Sequence, residues 1–300
     1  MLTKNFSTQT VDTTACWFRR DYSYRTNPRT CLGCAFCYKH IEPQYPERRR
    51  SASYIDTNEK FHSKTIFKTP VVISRFCEPF IDGQSTEASL LVAEKCIANN
   101  CQFIFKTALD LPSRAVELLE NNKDNSQCQL RFISGASEYG DWITRELSPK
   151  YNLAKDQLVQ GSKLVEAGID VVALFDPFII GINEIQCKNL IKDLAEAGIK
   201  KMIIKQLFAT DQFVQFLKLR VGKRYTKLLS NHTFGYWTYD TMMYLNYLYP
   251  VLEQCAEYGV VTTVCSNRAA NELVYGDGNC CQFNNPIGFY NEEGRIVNDL

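Results

Sequence analysis

The chain has 300 residues, with 34 Lys plus Arg against 33 Asp plus Glu, which gives a formal net charge of +1. Its 45% hydrophobic and 22% charged residues are typical of a globular protein and exclude disorder as a description of the whole chain. The balanced charge argues against a protein that works mainly by neutralising phosphates. No apolar run reaches the roughly 18 residues of a membrane span, and the start has no apolar segment of a secretory signal, so we expect a cytoplasmic protein away from membranes.

From about residue 70 onward, short apolar runs alternate with amphipathic stretches. Buried strands are predicted over residues 69–76, 102–107, 129–134, 170–175, 201–208 and 259–265. Helices are predicted between them, over residues 85–99, 111–121, 153–167, 183–197 and 239–258. Strands that alternate with helices in this way indicate βα units and a parallel sheet.

A weak internal repeat supports the βα reading. The runs KLVEAGIDVVAL and KDLAEAGIKKMII share the order helix, Glu-Ala-Gly-Ile, strand, about 30 residues apart. Gly168 and Gly198 fit the left-handed position that ends a helix. At least five strands buried on both faces predict an α/β barrel or a doubly wound sheet.

Thirteen cysteines are unusual for a chain expected in a reducing compartment, where disulfides are rare. Four of them occur singly in helix or strand patterns and are interpreted as small buried hydrophobes: Cys96, Cys101, Cys128 and Cys187.

Three other cysteines form a cluster in the run RTCLGCAFCYKH. Cys31, Cys34 and Cys37 follow a Cys-x2-Cys-x2-Cys pattern. Three thiolates on one loop can hold three irons of a 4Fe–4S cube and leave the fourth iron open for another ligand. The alternatives are a zinc site completed by His40 or a distant cysteine, and a ferredoxin-like cluster with a remote fourth ligand.

The run TNPRTCLGCAFCY resembles the cluster loop of the radical SAM superfamily, and most of all its spore photoproduct lyase-like branch. The resemblance continues in order through ISRFCEPF, FIFKTAL, LRFISGAS and LVEAGIDVVALFDPFIIGIN. It implies a partial (β/α)6 TIM-type barrel over residues 1–210, including the amino-terminal cluster loop. Residues 211–300 would form a carboxyl-terminal extension that covers the barrel mouth.

Two departures from the branch pattern stand out. The family loop is normally Cys-x3-Cys-x2-Cys, and here Thr30 stands where the first cysteine would be. Cys77-Glu78 replaces the usual Ser/Thr-Asp pair. The shortened spacing leaves open which carbon–sulfur bond of the cofactor would break.

The resemblance implies that S-adenosylmethionine (SAM) binds the open iron and is reductively cleaved to a radical, normally 5′-deoxyadenosyl. By analogy Cys31, Cys34 and Cys37 ligate the cluster, Glu78 accepts from the methionine amine and Lys106 pairs with the methionine carboxylate. The remaining cofactor contacts are expected from Phe36 near the adenine, from Tyr38, and from Ser134 or Ser137 near the ribose or sulfonium.

Further residues are candidates for contact with the substrate or for a second iron–sulfur cluster. Cys77 lies close to the position of a hydrogen-atom donor in spore photoproduct lyases, with packing in the core as the alternative. Arg75 is a candidate for binding an anionic substrate group. A second iron–sulfur cluster is a candidate on Cys265, Cys280 and Cys281, with loop packing as the alternative.

The leading prediction is therefore a radical SAM enzyme with a small-molecule or peptide substrate in a biosynthetic pathway. The alternatives are repair of a DNA or nucleotide lesion, and a non-enzymatic iron–sulfur or zinc protein. The implied partners are a substrate and an electron donor such as flavodoxin or ferredoxin, with nucleic acid not favoured because of the balanced charge.

Overall fold

The computed structural model describes residues 21–22, 32–37, 71–73, 78–233, 236–265 and 282. Its main feature is a seven-stranded sheet in which all neighbours are parallel. In spatial order the strands are β1 (Asp21–Tyr22), β2 (Val71–Ile73), β3 (Phe103–Thr107), β4 (Ser126–Phe132), β5 (Val171–Phe178), β6 (Lys201–Gln206) and β9 (Val261–Cys265).

Helices connect most of these strands. They are α1 (Gly83–Ala98), α2 (Ser113–Glu120), α3 (Glu138–Leu147), α4 (Ala154–Glu166), α5 (Glu184–Glu196), α6 (Asp211–Arg220), α7 (Lys223–Thr226) and α8 (Thr241–Glu257). A separate antiparallel hairpin is made of β7 (Leu229–Thr233) and β8 (Tyr236–Tyr239). No helix of the described ranges is long and apolar enough to cross a membrane.

The strand order follows the chain order, which distinguishes a barrel from a doubly wound sheet. A doubly wound sheet reverses its strand order at a switch point, whereas here every strand lies beside the next one in sequence. Parallel crossovers of one hand then place the helices on one face and curve the sheet around the other. The predicted partial TIM-type barrel is confirmed.

The two faces of the sheet bury different side chains. Phe103, Phe105 and Phe132 belong to the large apolar core shared with the helices. The alternate residues form a small apolar cluster on the inner face: Val72, Ile104, Val172, Leu174 and Ile203. The inner face is therefore apolar at its centre, and its polar side chains lie towards the strand ends.

The two glycines of the repeat lie where the sequence predicts. Gly168 and Gly198 both have φ of 78° and follow α4 and α5. After each glycine, the next amide returns to the helix: Ile169 N–H donates to Leu164 O at 3.0 Å, and Ile199 N–H donates to Leu194 O at 2.9 Å. These caps turn the chain directly into β5 and β6.

Two regions differ from the predicted elements. Residues 138–147 form α3, whereas the interval between the predicted strand at 129–134 and the predicted helix at 153–167 is expected to be a loop. Gly140 in α3 allows close packing, since a Cβ atom there would lie 2.1 Å from Gly135 O. The second region, residues 209–239, carries α6, α7 and the β7–β8 hairpin, for which no helix or strand is predicted from the sequence.

The carboxyl-terminal region is described only in part. Gln282 is buried and lies at the amino end of the sheet, where its side chain donates to Met202 O at 2.6 Å and Thr263 Oγ1 at 3.0 Å. The division at residue 210 and the expected cover over the barrel mouth stay predictions.

Candidate active site

Charged side chains gather on the inner face at the carboxyl end of the barrel. The register places Lys106 beside Gln129 on β4, and Lys205 beside Cys265 on β9. Because strand side chains alternate between faces, Arg131 and Asp176 share the inner face with them. Catalytic residues of parallel barrels come from this end of the strands.

The centre of this group is the buried carboxylate of Asp176. Its Oδ2 atom lies 3.0 Å from Arg131 Nη2, 3.0 Å from Lys205 Nζ and 3.8 Å from Lys106 Nζ. All four side chains are at most 11% exposed. We call these residues the Asp176 cluster; it holds three cations from three strands around one carboxylate.

Burial and mutual repulsion shift the titration of the Asp176 cluster. Burial lowers the pKa of Lys106 to about 8, and repulsion by Lys205 acts in the same direction, while Asp176 opposes the shift. Burial alone would raise the pKa of Asp176, but the three cations together hold it well below its usual range. Asp176 is therefore ionised at neutral pH, and Lys106 exchanges its proton more readily than an exposed lysine.

Arg131 has hydrogen-bonding capacity that the protein does not use. Its Nη2 atom donates to Asp176, but its buried Nε–H has no partner among the described residues. The guanidinium carbon lies 5.5 Å from the ring centroid of Tyr151, whose buried hydroxyl also has no partner among them. Unsatisfied buried polar groups are rare in folded proteins and mark positions where a ligand or water binds.

Glu78 lies beside the end of β3. Its Oε2 accepts from Ala108 N–H at 2.9 Å, and its Oε1 accepts from the Thr107 hydroxyl. Burial raises the pKa of Glu78 to about 7, against the effect of these two hydrogen bonds. The structure thus brings Glu78 and Lys106 to neighbouring strand ends, as the motifs predict.

The described part of the cysteine loop is packed on the same side of the barrel. Ala35 N–H donates to Leu147 O at 2.8 Å, and the Cys34 thiol lies 3.0 Å from the Ser148 hydroxyl at the end of α3. Phe36 is buried, with its ring 6.5 Å from that of Tyr151 and 6.3 Å from that of Phe213. Because Tyr151 also contacts Arg131, one aromatic ring separates the loop from the Asp176 cluster.

The donor set of this loop fits thiolate ligation. Cys34 and Cys37 are both partly exposed, and Cys37 N–H closes a turn by donating to Cys34 O at 3.1 Å. Arg131 lies close enough to Cys34 for the two groups to interact electrostatically. Among the described residues no three His, Cys, Asp or Glu side chains form a complete metal-binding group, and Cys31 lies outside those residues.

The two predicted serine contacts have partners within the protein. Ser134 is buried, and its hydroxyl lies 2.6 Å from Gly140 O and 2.7 Å from Thr144 Oγ1. Ser137 is the N-cap of α3: its hydroxyl accepts from Gly140 N–H at 3.0 Å and donates to Gln186 Oε1 at 2.6 Å. Both hydroxyls stabilise the start of α3, and their predicted contact with the cofactor stays a prediction.

Several predicted residues lie outside the described residues: Cys31, Tyr38, Arg75, Cys77, Cys280 and Cys281. Cys265 is described; it is partly buried at the carboxyl end of β9, beside Lys205 in the barrel mouth. Its assignment to a second cluster is untested. The four cysteines interpreted as packing residues, Cys96, Cys101, Cys128 and Cys187, are all buried, which confirms that interpretation.

Sequence reasoning missed Arg131, Asp176 and Lys205. Each is a charged residue near the end of an otherwise apolar strand run, as in QLRFIS, VVALFDPF and MIIKQLF. A charge in a buried strand is costly unless it is paired, so these positions carried a signal. If Lys106 is taken to face inward, the alternation of side chains along paired strands places Arg131, Asp176 and Lys205 on the same face.

Comparisons of the sequence and of the structure with known proteins give different results. No family model matches the sequence, and no curated protein sequence matches it. Among solved structures, spore photoproduct lyase in complex with dinucleoside spore photoproduct has a TM-score of 0.57 at 12% identity, covering 77% of this chain and 72% of that one. A double mutant of the same enzyme, with bound AdoMet and the dinucleoside, has a TM-score of 0.56 with the same identity and coverage.

A second structural relative is SuiB of Streptococcus suis. It has a TM-score of 0.50 at 13% identity, covering 82% of this chain and 48% of that one. At these identities the likeness concerns the fold. The predicted barrel is confirmed, and its structural likeness to spore photoproduct lyase is one of fold.

Proposed function

We propose that this protein is a radical SAM enzyme in which Cys31, Cys34 and Cys37 hold a 4Fe–4S cluster. The observation that carries the proposal is the position of the cysteine loop. Cys34 is hydrogen-bonded to Ser148, and Phe36 packs on Tyr151, which in turn contacts the Asp176 cluster. A thiolate loop at the carboxyl end of a parallel barrel, beside buried charges, is the arrangement this chemistry requires.

The bound cluster and SAM would supply one-electron cleavage of a carbon–sulfur bond and a carbon-centred radical. The chain itself provides binding and shielding. Lys106 offers a cation for the methionine carboxylate, and Glu78 offers carboxylate lone pairs to the methionine amine. The rings of Phe36, Tyr151 and Phe213 form an aromatic wall behind the loop that keeps water from the reacting atoms.

The substrate we favour is a small molecule or a peptide. The balanced net charge of +1 and the burial of the charged side chains at the carboxyl end favour it over a long nucleic acid. Lesion repair of the spore photoproduct lyase type is the second candidate, because the structure of that enzyme with its dinucleoside ligand has the same fold. The two are separated by offering dinucleoside spore photoproduct and following its conversion by mass spectrometry.

The first experiment is anaerobic purification and reconstitution of the full chain with iron and sulfide. The proposal expects a brown protein with about four irons per chain. After dithionite reduction, added SAM should yield methionine and a modified nucleoside detectable by mass spectrometry. A colourless protein with stoichiometric zinc, and no SAM cleavage, would instead support the non-enzymatic alternative.

The remaining assignments belong to the same proposal. Tyr38 would contact the cofactor, Arg75 and Cys77 would act on the substrate, and a flavodoxin or ferredoxin would supply the electron. A second cluster on Cys265, Cys280 and Cys281 is tested by the iron count, since it would raise the count to about eight. Cytoplasmic location is part of the proposal as well.

A further inference from the structure

Three cations in the Asp176 cluster share one carboxylate oxygen. Asp176 Oδ2 lies 3.0 Å from Arg131 and from Lys205 and 3.8 Å from Lys106, and all four side chains are largely buried. Within this group of four described residues positive charge outweighs negative charge, which favours an anionic ligand beside it.

The three cations are not equally engaged with Asp176. Lys106, at 3.8 Å, lies beyond hydrogen-bond distance, which leaves its ammonium able to bind the methionine carboxylate assigned to it above. Arg131 is bonded to Asp176 through Nη2 at 3.0 Å. One cofactor carboxylate on Lys106 would therefore leave the Nε–H of Arg131 still without a partner among the described residues.

The geometry of the guanidinium shows where a second anion would lie. In arginine the Nε–H and one N–H of Nη2 point in parallel from the same edge, which is how the fork binds two oxygens. Here Nη2 binds Asp176, while the buried Nε–H has no partner among the described residues. The Nε–H is thus available to a ligand on that edge of the guanidinium, and Tyr151, whose ring centroid lies 5.5 Å from the guanidinium carbon, has a buried hydroxyl that also has no partner among the described residues.

We propose that the Nε–H of Arg131 binds an anionic group of the substrate, a carboxylate or a phosphate, at a position separate from the cofactor carboxylate on Lys106. This inference rests on the proposed function, because it assigns the first anion to SAM. It narrows the substrate to an acidic small molecule, or to a peptide with an acidic side chain or a free carboxyl terminus.

The test uses the full-length, reconstituted protein and two probes, malonate and inorganic phosphate. Calorimetry measures the binding of each probe without SAM and at saturating SAM. The proposal expects a probe to bind at saturating SAM, and Arg131→Met to weaken this binding by about tenfold or more, since a charged hydrogen-bond partner is lost. Arg131→Lys keeps the charge but lacks Nε–H, so it should restore only part of the affinity. The probe that binds more tightly identifies carboxylate or phosphate.

Two further variants sharpen the test. Asp176→Asn removes the competing negative charge and should tighten probe binding, whereas a merely structural role for Asp176 would weaken it. Arg114→Met is the matched control, because Arg114 is an exposed arginine whose ion pairs within the described residues are with Glu87 and Glu94. Its probe affinity should equal that of the wild type. If Asp176→Asn does not fold, the comparison of the two Arg131 variants decides.

Two results would overturn the inference. One is that each probe competes with SAM one for one, with none bound at saturating SAM, because the position would then belong to the cofactor. The other is equal probe affinity in wild type and Arg131→Met. If the protein binds no SAM at all, the proposed function fails, and the dependence of probe binding on Arg131 in SAM-free protein still decides the anion position.

Discussion

The two ends of the barrel's inner face carry similar residue types but differ in the ratio of cations to carboxylates among the described residues. At the carboxyl end, Asp176 faces three cations, and an N–H of Arg131 stays without a partner among the described residues. At the amino end, Asp170 accepts from one cation, Lys201, at 2.8 Å and from the Gln127 amide at 3.0 Å.

The amino end is also closed by the chain itself. The backbone oxygen of Gln282 accepts from Lys201 at 3.1 Å and from Gln127 at 3.3 Å. This end therefore places one described cation against one carboxylate, with amide groups bonded to both. A surplus of one sign, held by rigid strands, prepares a site for a ligand of the opposite sign. The amino and carboxyl ends therefore differ in charge balance more than in the number of polar residues.

The largest effect is expected from the cysteine loop that borders the charged end. Cys34→Ala removes a cluster ligand, so iron binding should fall sharply and SAM cleavage should drop to background. Cys187→Ala is the matched control, because Cys187 is fully buried between helices and should leave iron content unchanged. Iron analysis and product mass spectrometry measure both; equal iron content in the two variants would contradict the assignment.

The next largest effect compares the two aspartates. Asp176→Asn removes the carboxylate that three buried cations share and should lower the free energy of unfolding by about 3–5 kcal/mol. Asp170→Asn removes the carboxylate of one described ion pair, with Lys201, whose side chain is 22% exposed, and should cost about 1–2 kcal/mol. Urea unfolding at neutral pH measures both. Equal losses would show that the ends do not differ in charge balance.

A pH series tests the free-energy cost of burying the charged Lys106 side chain. Its folded pKa of about 8 lies below its unfolded value, so below pH 8 the charged amine carries a constant cost in the folded state. Between pH 8 and about 10.5 the unfolded chain holds the proton more tightly, and this cost fades. We expect Lys106→Met to exceed wild type in stability by up to about 3 kcal/mol below pH 8, with the difference shrinking as pH rises to 10.5. A difference that is flat with pH would refute this.

The smallest effect is expected at Ser137, whose hydroxyl caps the amino end of α3. Ser137→Ala removes the N-cap of α3 and should cost about 1 kcal/mol, as should Thr210→Ala, which removes the equivalent cap of α6. Thermal unfolding measures the cost, and equilibrium dialysis measures SAM binding. Weaker SAM binding in Ser137→Ala alone would instead give Ser137 the cofactor contact that the motifs predict.

The barrel could be predicted because its strands are buried on both faces. Runs such as FIFKT and VVALF are apolar throughout and end at clear helix caps, so their alternation with helices is visible in one sequence. Helix α3 was missed because Gly140 is a poor helix former, although here close packing against Gly135 requires it. Among the described residues, β7 and β8 of the short hairpin pair with each other, and Trp237 of β8 also forms a bridge with Ala209. The hairpin lies outside the main sheet, and its sequence has no apolar pattern typical of a buried strand.

The candidate site could be predicted only where a motif marks it. Lys106 and Glu78 follow family motifs at strand ends, and the structure places each at such an end. Arg131, Asp176 and Lys205 have no role assigned by a motif, and their contact depends on the register of three strands, which a single sequence does not state. The charge surplus of the mouth is therefore a property of the folded barrel.

The most direct test of the central claim is electron paramagnetic resonance of the reduced, reconstituted protein before and after SAM is added. We predict the signal of a reduced 4Fe–4S cluster, and a change in its g values with SAM, because an open iron takes the cofactor as a ligand. An iron-free protein, or a cluster whose spectrum SAM leaves unchanged, would contradict the account.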